Sequence, residues 1–142
     1  MPARRVLVDT GPLVALFDAR DRHHARVVEQ WRRITTPVET VLPVLTETLY
    51  LLDFSRTAVE AVFDLVETGA MKVLPMDRVD LVRVRELMMK YSDVPMDFAD
   101  ACLVRAAERE LVVHVFTVDR RGFTVFAPKH VRRLKLLPAS LD

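Results

Sequence analysis

Arg4-Arg5-Val6-Leu7-Val8-Asp9-Thr10-Gly11-Pro12 is the stretch that decides the architecture. A strand with one wet face alternates apolar and polar residues, whereas Val6-Leu7-Val8 is continuous and asks for cover on both faces. Thr10-Gly11-Pro12 then turns the chain, and Pro12 suits the first turn of a helix. The same kind of run returns at Val38–Leu42, Met71–Leu74 and Val112–Val118, and Phe123–Phe126 is read as a fifth strand. Helices are predicted between them: Leu13–Ala19; one from Asp21 with Val27, Val28, Trp31 and Ile34 on its apolar face; Pro43–Leu52; and Arg56–Thr68, capped by Ser55 and stopped at Gly69. Two more run from Asp77 to Tyr91, with Val79, Val82, Val84, Leu87 and Met88 inward, and from Asp97 to Glu110. Strands alternating with helices predict an α/β fold, a single three-layer domain over residues 1–142. Its centre is a parallel sheet of about four to five strands flanked by helices.

The 142 residues are enough for one core, and a 51% apolar and 29% charged composition is that of an ordinary globular chain. A net charge of +1 gives no argument for nucleic acid from charge alone. All basic residues except Lys72, Lys90, Lys129 and Lys135 are arginines, whose planar fork suits phosphate as well as carboxylate. The lone Cys102, in Ala101-Cys102-Leu103-Val104, is expected to be a buried, inert thiol. Neither a signal-peptide pattern nor an apolar run of ~20 residues is present, so a cytoplasmic protein without a membrane partner is expected.

Four carboxylates interrupt the apolar pattern at element boundaries: Asp9, Glu47 in Thr46-Glu47-Thr48, Asp100 in Asp97-Phe98-Ala99-Asp100, and Asp119 after Thr117-Val118. Taken singly, each has a plain structural role. An Asp after a strand caps or turns, Asp97 with Asp100 reads as a helix cap with an acid at the third position, and Glu47 alone would be solvated. Taken together they converge. Ligands of parallel sheets bind beyond the carboxyl ends of the strands, where Asp9 and Asp119 sit, and the helices bearing Glu47 and Asp100 begin at that rim. Crowded carboxylates repel unless a cation neutralises them, and Mg2+ suits oxygen donors while retaining waters. Such an ion can activate a water toward a phosphodiester.

The ordered set resembles the PIN-domain family, and within it the VapC-type toxin ribonucleases. Val8-Asp9-Thr10-Gly11-Pro12 resembles the family's opening segment, Thr46-Glu47-Thr48-Leu49-Tyr50 the segment with its Glu, and Met96-Asp97-Phe98-Ala99-Asp100-Ala101 its third acidic motif. Thr117-Val118-Asp119-Arg120-Arg121-Gly122-Phe123 resembles its final motif, with one extra residue before the Phe. The resemblance implies a Mg2+-dependent endoribonuclease, with Mn2+ as a substitute. Asp9, Glu47, Asp100 and Asp119 would be the metal-binding and catalytic carboxylates, Asp97 an indirect partner or only the helix cap, and Thr10 and Thr117 would orient the carboxylates or a water. It also implies an RNA substrate, a small cognate antitoxin lying over the acidic groove, and a homodimer to which Trp31, Leu49 and Leu52 would contribute.

Arg120 and Arg121 are candidates for a scissile phosphate or for ion pairs with the acidic rim. The basic run Lys129–Lys135 is either a solvated face or an RNA-backbone contact. His23 and His24, adjacent on a helix, point to different faces and do not make a zinc pair, while His114 is expected to pack in a strand. A haloacid-dehalogenase phosphatase would need an acid where Gly11 stands, and a P-loop is absent. The rival reading is a PIN-like RNA-binding or interaction module without catalysis.

Overall fold

Val6, Leu7 and Val8 form β1 (Val6–Val8), buried on both faces as the continuous run requires. The computed structural model describes residues 4–139. In it β1 is the middle of a wholly parallel sheet shared with β2 (Val38–Val41), β3 (Met71–Leu74), β4 (His114–Phe116) and β5 (Lys135–Leu137). The strand order is β3-β2-β1-β4-β5. The chain thus builds outward from β1 through β2 to β3, then returns to the other side of β1. That reversal opens a crevice between the ends of β1 and β4, the usual ligand position in such sheets.

Seven helices accompany the strands among the described residues: α1 (Thr10–Phe17), α2 (His24–Arg33), α3 (Leu42–Leu51), α4 (Arg56–Glu67), α5 (Arg78–Lys90), α6 (Phe98–Glu110) and the single turn α7 (Arg120–Phe123). The whole is one α/β domain. Helix α6 is the most deeply buried, and its small residues Ala99, Ala101, Ala106 and Ala107 let neighbours approach closely. Because α6 leads into β4, its first turn lies at the rim where β1 and β4 end.

Three expectations need correction. Helix α5 does not turn Val79 and Val82 inward. Both are exposed, and its buried face carries Asp80, Val84 and Leu87. Asp80 sets that phase because Arg105 and Arg109 of α6 meet its two oxygens, each at 2.8 Å. Phe123–Phe126 is not a strand. Gly122 lets the ring of Phe126 come so close that a Cβ there would lie 2.6 Å from Cζ, and Phe126 packs edge-on against Tyr91 and Phe123. The fifth strand is instead β5, tied to β4 by the Lys135 N–H donating to the Val113 carbonyl at 2.8 Å. It grows out of the basic run, so Lys135 serves the sheet. Leu52, expected at a dimer surface, is fully buried, while Trp31 and Leu49 are half-buried against the core.

Candidate active site

Asp9 lies at the crevice because β1 ends there and α1 starts. Its backbone N–H donates to the Phe116 carbonyl at 2.9 Å, locking it to the end of β4. Its Oδ1 accepts from the Thr10 N–H at 2.8 Å, capping α1, and its Oδ2 accepts from the Thr117 hydroxyl at 2.9 Å. That hydroxyl also accepts from the Asp119 N–H at 3.3 Å, so one threonine joins the two acids that end β1 and β4. Only 7% of Asp9 is exposed. Burial pushes its carboxyl up to about 6, Thr10 and Thr117 restrain the rise, and Asp97 and Asp119 add to it.

Asp97 and Asp100 make a reciprocal cap on α6. Asp97 Oδ1 accepts from the Asp100 N–H at 2.9 Å, and Asp100 Oδ2 accepts from the Asp97 N–H at 3.3 Å. The cap fixes the Asp100 carboxylate toward the crevice. Burial, then repulsion from Asp9 and Asp97, pushes it up to about 8. Burial, followed by Asp97 and Asp9, also raises Glu47, which α3 brings in from the end of β2. Asp119 precedes α7 and stays largely exposed, with Oδ1 3.9 Å from Arg121 Nε. The predicted acids therefore act on one another through a shared field, from four separate segments of chain.

Asp77 and Asp80 supply a control within the same molecule. They cap α5 with the same reciprocal hydrogen bonds, at 3.1 and 2.9 Å. Burial pushes Asp80 up too, yet the Asp77 N–H, Arg105 and Arg109 more than reverse this and hold it below the usual carboxylate range. Two caps of the same form thus differ in their neighbours: Asp80 meets two arginines, whereas Asp100 faces Asp9, Asp97 and Asp119. Among the described residues, the ion pairs involve neither Asp9, Glu47, Asp97 nor Asp100.

Arg120 does not serve the rim as expected. Its Nη2 donates to the Pro138 carbonyl, and burial, with Arg26 nearby, holds the guanidinium below its usual range. Arg121 alone of the pair remains exposed beside Asp119. His24 Nδ1 pairs with the Ala15 carbonyl at 2.6 Å, and burial lowers His114, as do Arg4 and Lys135. Cys102 is buried, which pushes its thiol up to about 11 and keeps it inert. Sequence reasoning missed Phe98, an exposed ring between the two acids of the α6 cap; an apolar residue in the first turn gives no sign of which way it faces.

As oriented, no three acidic, histidine or cysteine side chains among the described residues stand close enough to enclose an ion. The donor set nevertheless fits a hard cation that retains waters. It is all oxygen, two of its carboxylates are raised by burial and by repulsion from neighbouring acids, and the Thr10 hydroxyl is buried without a hydrogen-bond partner. Mg2+ typically takes one or two carboxylates directly and reaches others through water.

A parallel sheet with an acidic crevice at its strand reversal defines the PIN domain, whose family description matches residues 6–127, and the chain belongs to that family. Strand β5 lies beyond the matched span. Among relatives, the chain is 27% identical over 136 residues to Ribonuclease VapC26 of Mycobacterium tuberculosis, covering 94% of this chain and all of that protein. In fold it is similar to the M. tuberculosis VapC20 toxin, described as cleaving the sarcin-ricin loop, with a TM-score of 0.78 at 20% identity over 89% of this chain and 98% of the other. A toxin–antitoxin complex from Klebsiella pneumoniae gives a TM-score of 0.66 at 15% identity, over 89% and 99%. No helix of the described residues is long and apolar enough to cross a membrane.

Proposed function

We propose that this chain is a divalent-metal-dependent endoribonuclease and the toxin of a type II toxin–antitoxin pair. The observation that carries the reading is the juxtaposition of Asp9 and Asp100 at the crevice, where they repel each other and are raised to about 6 and about 8, with no ion pair to either among the described residues. The ribonuclease and toxin relatives supply the substrate class. Asp9 and Asp100 would hold Mg2+ or Mn2+ directly, with Glu47 and Asp119 completing the set. Bound there, the ion supplies positive charge at the scissile phosphate and acidifies a water.

The protein's own part is positioning. Thr117 orients Asp9 and the Asp119 backbone, Asp97 holds Asp100 by its cap, and the unpartnered Thr10 hydroxyl is free to fix a water. Arg121, exposed beside Asp119, would meet a phosphate oxygen. A small antitoxin over the acidic groove would block all of this, and a homodimer would use the exposed Tyr50, Leu51 and Phe54 of the α3–α4 corner.

The test is purified protein with structured RNA, Mg2+ or Mn2+, and EDTA as control. Cleavage that needs the metal and is lost in Asp9→Asn and Asp100→Asn is expected. Equal cleavage in both variants would mean a contaminant and refute the assignment, and tight RNA binding without cleavage would favour the non-catalytic module. Expression should arrest growth, relieved by a small protein encoded beside it.

A further inference from the structure

Beside the acids, between α3 and the first turn of α6, lies an open cavity of about 510 Å3. Leu42, Pro43, Phe98 and Ala99 make its apolar wall, and Glu47 and Asp97 of the acidic group also line it. Phe98 is 45% exposed and Leu42 60%. Phe98 cannot turn into the core, because the Asp97–Asp100 cap sets the phase of α6 and gives the inward positions to Ala99, Ala101 and Cys102. An aromatic face is thus held in water within the acidic crevice.

The shared lining restricts what can fill this space. The occupant must be joined to whatever sits at the carboxylates, it must have an apolar face for Phe98 and Leu42, and it must carry no negative charge near Glu47 and Asp97. An uncharged planar group with N–H donors on its edge meets all three conditions. We propose that the cavity binds the nucleobase adjoining the scissile phosphate, with Phe98 stacking on its face. This rests on the nuclease reading above and adds to it a base-binding subsite. Stacking tolerates every base, so the hydrogen bonds from the base edge to Asp97 or Thr46 would set any preference.

The experiment uses a cleaved RNA carrying 2-aminopurine at either nucleotide flanking the cut. Bound to the Asp100→Asn protein, the probe should be quenched at one of the two positions; adding Phe98→Ala should abolish the quench and Phe98→Trp should keep it. With Asp100 intact, Phe98→Ala should raise KM by about 5- to 100-fold, the range that loss of one stacked base produces, and Phe98→Trp should restore it. An abasic nucleotide at that position combined with Phe98→Ala should cost no more than either change alone. A quench and a KM that ignore Phe98, while metal-dependent cleavage persists, would overturn the subsite and leave the nuclease reading standing. Absence of cleavage by the parent protein would overturn both. Were Phe98→Ala to leave RNA kinetics intact and instead release an inhibitory protein segment, the cavity would belong to that partner and the proposal would fail.

Discussion

Replacing Asp100 by Asn should stabilise the metal-free protein while removing its proposed cleavage activity. The Asp100 carboxyl moves from 3.8 to about 8 on folding and that of Asp9 from 3.8 to about 6. A carboxyl raised in the folded state binds its proton more tightly there than in the unfolded chain, so ionisation costs stability. The cost is absent below about pH 4, grows as pH rises, and is complete above the folded value of about 8. At about 1.4 kcal/mol per unit the full displacement would approach 6 kcal/mol. Asp100 is partly solvated, and part of its displacement is the repulsion it shares with Asp9, so about 2–3 kcal/mol is the expected gain. Asn keeps the shape and the acceptor that the Asp97 N–H uses. In EDTA at pH 8, thermal unfolding followed by circular dichroism should show a Tm higher by roughly 5–10 °C than the parent, and the gain should shrink at pH 5. Saturating Mg2+ should raise the parent and close the gap. No gain at pH 8, or a gain equal at both pH values, would refute the electrostatic account of the crevice.

Asp80→Asn, at the equivalent position of the other cap, should act with the opposite sign: stability should fall by about 3 kcal/mol in urea unfolding, because Arg105 and Arg109 lose their partner. Thr117→Val removes a hydrogen bond that lowers Asp9, so the acid limb of the pH–rate profile should move to higher pH and kcat/KM should fall about 10- to 100-fold. Gly11→Ala would bring a Cβ to 2.4 Å from Val118 Cγ2 and displace the segment joining Thr117 to Asp119. Activity should drop, and Gly11→Ala with Val118→Ala should recover most of it; a double variant as poor as the single would refute this packing explanation.

The sheet was legible because continuous apolar runs need cover on both faces, and Asp9 and Asp119 stood out because each follows such a run. Periodicity failed where distant partners decide orientation. Val79 and Val82 looked like core until Asp80 took the inward position, and Asp80 does so only because arginines 25 and 29 residues away reach it. Strand β5 was hidden by the basic residues before it, and Leu52 by its place at the end of an amphipathic helix. At the site, Asp9, Glu47, Asp100 and Asp119 were singled out by chain order together with the family resemblance, and the fold brings them into one electrostatic field. The turning away of Arg120 was not, since it depends on where the Pro138 carbonyl comes to lie.

Asp77-Arg78-Val79-Asp80 and Asp97-Phe98-Ala99-Asp100 are the same form of cap built twice, so backbone chemistry cannot be what holds one carboxyl down and pushes the other up. The difference lies in the charged neighbours, arginines at one and acids at the other. Arg5 is spent on Glu39 and Glu110, Arg83 on Glu108, and Arg105 and Arg109 on Asp80. At the crevice, among the described residues, only the exposed Arg121 pairs with an acid, 3.9 Å from Asp119. In a chain with this many arginines, the buried Asp9 and the half-buried Asp100, with no ion pair among the described residues, retain a repulsion that neutralisation elsewhere has removed. That repulsion costs stability in the metal-free fold and would be returned on entry of the proposed cation, so it would contribute directly to ion affinity. An arginine introduced at the crevice would stabilise the fold and compete for the place the ion would take.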